Sequence, residues 1–367
     1  MTPRERILKI LNHEQPDQVP WFGDLDYWAT SMVKLGLKPE NFIWSPDYIK
    51  WHRDLGVGFY LQGYFPFIPV YENCTIQEWQ DGNRRYRKIS TPLGSVRECW
   101  EYIPSSFTEA PVEHFLKTEE DLPVMKFIYE NTWYKPDYRQ AEERTREIGD
   151  QGIVLCYLQK SPFMHLVALE AGIETVTNLA LNLPDEFASL LEVMEKSFDL
   201  AARLAIESPA EVLMIPENLS SEMVGPYFFE LYMRCYQEKW IREIKKAGKH
   251  SFIHIDGTLR GLVAQEASTG FTVLEALTPQ PAGDMDFAEI APLIDHPDTI
   301  IWGGIPGVCF TNHVSEEDFE RHVIGIIDIM RREPRYVLGV ADQVPPDGLE
   351  SRVRKVARLV DQYGRYL

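Results

Sequence analysis

After Pro123 the chain alternates short, nearly unbroken apolar runs with longer amphipathic stretches. The runs are GIVLCYLQ, EVLMIPEN, SFIHIDGT, TVLEALTP, TIIWGGIP and RYVLGVAD; segments between them, such as FMHLVALEAGIETVTNLAL and DEFASLLEVMEKSFDLAARLAI, repeat apolar residues at helical spacing. Strands separated by helices of this length pair in parallel, because a parallel neighbour is reached only by a long crossover. Each run stays apolar until its last few residues and then turns polar or small, at Gln159, Glu217 and Asn218, His254 and Asp256, Glu275, Gly303 and Gly304, and Asp342. In a barrel such strand ends converge on one pocket, whereas an open sheet spreads them along a line. No GxGxxG, GxxxxGK[ST] or GxSxG follows a run, which removes the usual reasons for an open sheet. The pattern predicts an α/β chain folded as a (β/α)8 TIM barrel.

Upstream, the rhythm is different. Thr2, Pro3 and Glu5 make a helix start, with Ile7, Leu8, Ile10 and Leu11 on an apolar face, and the helix ends before Pro16. From Val19 to Ile103 the chain is rich in aromatics and turns, and RRYRKISTPLGSVRECWEYI reads as two strands joined across TPLG. We expect one domain over 1–367, with residues 1–122 as an aromatic-rich N-terminal extension and hairpin packed on the barrel. The charged stretch RQAEERTREIGD reads as a solvated helix face.

Composition narrows the partners. Against 37 Lys and Arg stand 56 Asp and Glu, a formal charge of −19 that repels phosphate backbones and anionic membranes. No nucleic-acid partner is expected. With no long apolar run in MTPRERILKILNHEQPDQVP and no window of ~18 apolar residues, neither a signal peptide nor a membrane span is expected, and the location reads as cytoplasmic. The five cysteines are scattered without a CxxC pair, as expected of reduced thiols in or near the core rather than of a disulfide framework.

The pieces TPRERILKILNHEQPDQVPW, TPLGSV, SPFMHL, HIDGT, LEALTPQPAGDMDF and IWGGIP occur in that order over nearly the whole chain, and together they resemble the uroporphyrinogen decarboxylase superfamily. That superfamily holds the decarboxylase and a set of corrinoid-linked methyltransferases, and the resemblance implies a (β/α)8 barrel with one deep cleft at the strand C-termini. The decarboxylase has arginines just after the Val-Pro, where forked guanidinium groups grip the carboxylates of its substrate. Here that segment is VPWFGDLDYWATSM, with Asp24 and Asp26 and no arginine. Two carboxylates there would repel a polyanionic ligand, so the resemblance points to the methyltransferase branch. Relatives in that branch commonly carry a zinc site with His-x-Cys at the HIDGT position. Asp256 replaces that thiolate here, and Ala341 and Asp342 stand near the position of a second one. A His and carboxylate set suits polarisation of an ether oxygen, as in enzymes acting on methoxylated aromatics.

The expected function is therefore metal-assisted transfer of a methyl group from a small methoxylated, aromatic donor to a corrinoid on a partner protein. Zinc would be held by Glu217, His254 and Glu275. Catalytic roles fall to His254, Asp256 and Asp342, and substrate contacts to Trp21, Asp24, Asp26, Tyr27, Trp28, Tyr157 and Gln159. Each has a plainer reading: strand-end polar groups also cap strands, aromatics more often fill cores, and His13, His52, His165, His250 and His313 have no partner spacing. A decarboxylase acting on a smaller acid and a non-catalytic tetrapyrrole-binding protein are the alternatives.

Overall fold

The computed structural model describes residues 1–60 and 64–367. The parallel strands are β1 (Trp21–Phe22), β2 (Phe59–Tyr60), β3 (Leu155–Tyr157), β4 (Val212–Leu219), β5 (His250–Ile255), β6 (Val273–Leu277), β7 (Ile300–Pro306) and β8 (Tyr336–Ala341). All but β2 form one curled seven-stranded sheet in the order β1-β8-β7-β6-β5-β4-β3. β2 lies at its open side, beside a parallel bridge from Phe22 to Gly58 and paired with Gly152–Ile153, the segment leading into β3. The result is a TIM-like α/β fold. Two of its strands come from the N-terminal third, so that region is part of the framework and not only an extension packed on it.

The runs are apolar throughout because both faces of each strand are covered. Phe22, Tyr60, Leu155, Val212, Met214, Phe252, Val273, Ile300, Trp302 and Val337 form one inner cluster. Their neighbours Leu213, Ile215, Ile253, Leu274, Ile301 and Leu338 belong to the outer cluster, which also takes in the helices. At period two, His254 follows Phe252 inward and Glu275 follows Val273 inward, whereas Glu217 follows Ile215 outward. The fully buried Trp302 indole packs edge-on to Phe22 and Phe252 and tilts against Tyr60. Gly339 leaves room for it: a Cβ there would stand 2.6 Å from the indole Cδ1.

The first helix, Pro3–Leu11, forms as its sequence predicts, with Thr2 and Glu5 closing a capping box, and Ile7, Ile10 and Leu11 join the inner cluster. Thr2→Ala is expected to cost about 1 kcal/mol in a urea melt, the usual worth of such a cap. The hairpin across TPLG is also present, as Arg84–Thr91 paired with Gly94–Ile103. It is the middle of a four-stranded antiparallel sheet completed by Thr75–Asp81 and Thr108–Glu113. RQAEERTREIGD gives the helix Arg139–Glu147, yet one of its arginines is not solvated: Arg144 is buried over the Phe59 ring and donates to the carbonyls of Ile43 and Ser45. Of the five free thiols, Cys99, Cys156 and Cys309 are buried, while Cys235 is exposed. Among the described residues no helix is long and apolar enough to cross a membrane.

Candidate functional site at the strand C-termini

β5 and β6 are in register at His254 and Glu275, so the two side chains leave the sheet side by side. His254 Nδ1 donates to Glu275 Oε2 at 2.6 Å, and the Tyr60 hydroxyl donates to Glu275 Oε1 at 3.0 Å. Glu275 is fully buried above the floor formed by Tyr60, Phe252 and Trp302. On the other side of the ring, His254 Nε2 faces Asp342 Oδ1 at 3.6 Å. Asp342, just after β8, has φ 66°, and Ala276, just after Glu275, has φ 65°. Left-handed backbone is costly for side chains other than glycine, and its presence beside both carboxylates is the kind of local strain that aims groups at functional sites.

Burial by itself would push the His254 imidazole down. The Glu275 carboxylate outweighs it through charge and hydrogen bond, helped by Asp256 and Asp342, and raises the imidazole to about 9. The ring is therefore an imidazolium at neutral pH, with Glu275 fixing Nδ1 and leaving Nε2–H as the proton available toward Asp342. Asp342 is itself pushed up by burial, with the His254 charge opposing the shift. Asp256 and Asp342 line an open cleft of about 470 Å3 together with Tyr27, Thr278, Gln343 and Asp347.

Glu217 does not join this group. The register of β4 against β5 shifts between Ile215 and Leu219, and Glu217 turns outward. Its carboxylate accepts from the Ser161 backbone N–H at 3.2 and 3.1 Å, from Ser161 Oγ at 3.2 Å and from Gln237 Nε2 at 3.4 Å. The expected trio of Glu217, His254 and Glu275 is thus divided between two places, and both Glu275 oxygens are already hydrogen-bonded. Among the described residues no three His, Cys, Asp or Glu side chains stand where they could hold a metal ion together. The donor set read for zinc does not fit, and no chemical step is routed through it. Glu217 instead pins Ser161 and the start of the helix Pro162–His165. Glu217→Ala leaves buried donors unpaired and is expected to cost about 2 kcal/mol of stability in denaturant melts, without the loss of turnover expected at His254.

The other sequence candidates divide in the same way. Asp24 is buried, accepting from the Asp26 N–H at 2.8 Å and from Gln343 Nε2 at 3.0 Å. Burial, with Asp26 and Asp342 nearby, pushes it well above the usual carboxylate range, and through Gln343 it braces the cleft wall. Asp26 accepts from the Tyr48 hydroxyl. Tyr27 lines the cleft, but Trp21 stacks on Phe310 and Trp28 packs on Trp51, both buried in the core. The expectation that Trp21 and Trp28 contact the substrate is corrected: what this segment offers the cleft is Tyr27. Tyr157 packs edge-on to Phe65 at the end of β3. Gln159 faces a separate small cavity beside Tyr134 and His165.

Sequence reasoning names Tyr60 only as one of a group of aromatics and misses Gln343, Asp347 and Lys160. The first lies in an aromatic run with nothing to single it out, and Gln343 and Asp347 follow a strand end whose polar residue alone was noted. Lys160 follows Gln159, and its amine donates to the Pro216 carbonyl and to Asn218 Oδ1. Burial lowers it to about 8, against the pull of Glu217 and Asp256.

A family model described as uroporphyrinogen decarboxylase (URO-D) matches residues 114–363. No curated protein matches the chain in sequence. Among solved structures, the chain is similar to a methyltransferase from Methanosarcina mazei, with 99% of each chain covered, a TM-score of 0.63 and 14% identity. At that identity the likeness establishes the fold. The family match spans the helices and strands that place His254, Glu275 and Asp342, and by it this chain belongs to the uroporphyrinogen decarboxylase family.

Proposed function

We propose that this chain is a methyltransferase that takes a methyl group from a small methoxylated aromatic compound and passes it to a corrinoid carried by a partner protein. The observation that carries the reading is the placement of His254, its Nδ1 held by Glu275 at 2.6 Å and its Nε2 facing Asp342, which lines the cleft. An aryl ether is a poor methyl donor because the departing phenoxide takes the negative charge, and a proton delivered to that oxygen lowers the barrier. In this reading Nε2–H of His254 faces the ether oxygen, Glu275 holds the ring and stabilises its charge, and Asp342 and Asp256 shape the rim. The acceptor is the reduced cobalt of the corrinoid, which supplies the nucleophile. The fold likeness to the Methanosarcina mazei methyltransferase supports this branch of the family. The bridge from Phe22 to Gly58 and the pairing of β2 support a closed (β/α)8 barrel, with 1–367 as one working unit.

Decarboxylation, the activity the family is named for, is the second reading, because the family match itself favours it. Against it stands a cleft lined by three aspartates, among the described residues without a lysine or arginine. Incubating the full chain with a methoxylated aromatic and a reduced corrinoid protein is expected to give the phenol and a methylated cobalt spectrum. Release of carbon dioxide from a carboxylated substrate, with no change at cobalt, would refute the methyl-transfer reading.

A further inference from the structure

The charge on the cleft is one-sided. Asp256, Asp342 and Asp347 line it, and no lysine or arginine does so among the described residues. Nearby cations are engaged elsewhere: Lys160 Nζ is held by Pro216 and Asn218, and Arg352 is buried against the carbonyls of Cys309, Thr311 and Val314. His313 at the rim has Asp347 for a neighbour, at 3.9 Å. His254 carries a positive charge, but Glu275 matches it. A carboxylate on a ligand would meet three aspartates and no lysine or arginine among the described lining residues, and an ammonium is the better match.

A second observation sets the orientation of the ligand. Only a tenth of the His254 side chain is exposed, and its Nε2 makes no hydrogen bond among the described residues, Asp342 standing at 3.6 Å. A donor held so deep calls for an acceptor, and an ether oxygen supplies one. Asp342, which faces Nε2, lines the same cleft as Asp347, so a ring whose ether oxygen meets His254 shares that cleft with the rim carboxylate.

Resting on the methyl-transfer reading above, we propose that the donor is a methoxylated ring bearing an ammonium group, and that the cleft discriminates against the carboxylated analogue. The test uses the full chain and three ligands that share one ring: dimethoxybenzylamine, dimethoxybenzyl alcohol and dimethoxybenzoate. Titration calorimetry at low salt is expected to show the amine binding about tenfold tighter than the alcohol and the benzoate weakest, since a few partly exposed charge contacts together reach that size. High salt closes the gap, and Asp347→Asn narrows the amine-to-alcohol ratio. Equal affinities for amine and alcohol, or tightest binding of the benzoate, overturn the proposed charge selection while leaving the methoxylated-ring reading in place. If none of the three binds or loses a methyl group, that reading fails and the proposal falls with it.

Discussion

His254→Gln is expected to slow methyl transfer by roughly 10²–10⁴-fold, the usual worth of a positioned general acid. Glutamine keeps a polar group of similar reach but has no proton to give to a departing phenoxide. The loss should appear in kcat, with KM changing much less, because the proton matters as the carbon–oxygen bond breaks and not when the ring binds. The pH dependence has a definite sign. An imidazole raised to about 9 by Glu275 is charged below that value, so the wild-type kcat/KM should hold through neutral pH and fall as pH rises through about 9. In the glutamine variant that fall disappears. A wild-type rate in the variant, or an unchanged slope above pH 9, would remove His254 from the chemistry.

The parallel strands downstream of Pro123 were legible because their apolar runs are short, flanked by helical patterns and punctuated by polar ends. β1 and β2 were not, since two-residue strands such as Trp21–Phe22 carry no period of their own. Their place is set by neighbours far along the chain: Leu338 and Gly339 for one, Gly152 and Ile153 for the other. The same physics explains the divided site. His254 and Glu275 could be placed at strand ends from sequence, but a strand covered on both faces gives no sign of which face is inward. Glu217 therefore looked equivalent to them. It faces outward as Ile215 does two residues before it, and its companions Ser161 and Gln237 come from a loop and a helix that no local pattern ties to β4. The two faces of a strand alternate residue by residue, and here the face alone separates the cleft-side positions of His254 and Glu275 from the structural position of Glu217.

The pairing of His254 with Glu275 should also be measurable as stability. A histidine whose imidazole rises from its ordinary 6.5 to about 9 on folding holds its proton more tightly in the folded chain. That binding stabilises the fold fully below about pH 6.5, and the contribution is lost as pH rises through about 9. A rise of this size corresponds to roughly 3 kcal/mol at low pH, at about 1.4 kcal/mol per unit. Glu275→Gln removes the carboxylate that causes most of the rise while retaining the shape and hydrogen-bonding reach of the side chain. It also relieves the cost of burying an ionised carboxyl, which offsets part of the loss at every pH. The diagnostic quantity is therefore the change with pH. In urea melts the variant should fall short of wild type by about 2 kcal/mol more near pH 6 than near pH 10. Asp256 and Asp342 still face the ring in the variant, which is why the difference stays below the full 3 kcal/mol expected from the raised imidazole. A gap that does not vary with pH would mean that the pair is held by shape and hydrogen bonding alone, and that His254 is neutral when the protein works.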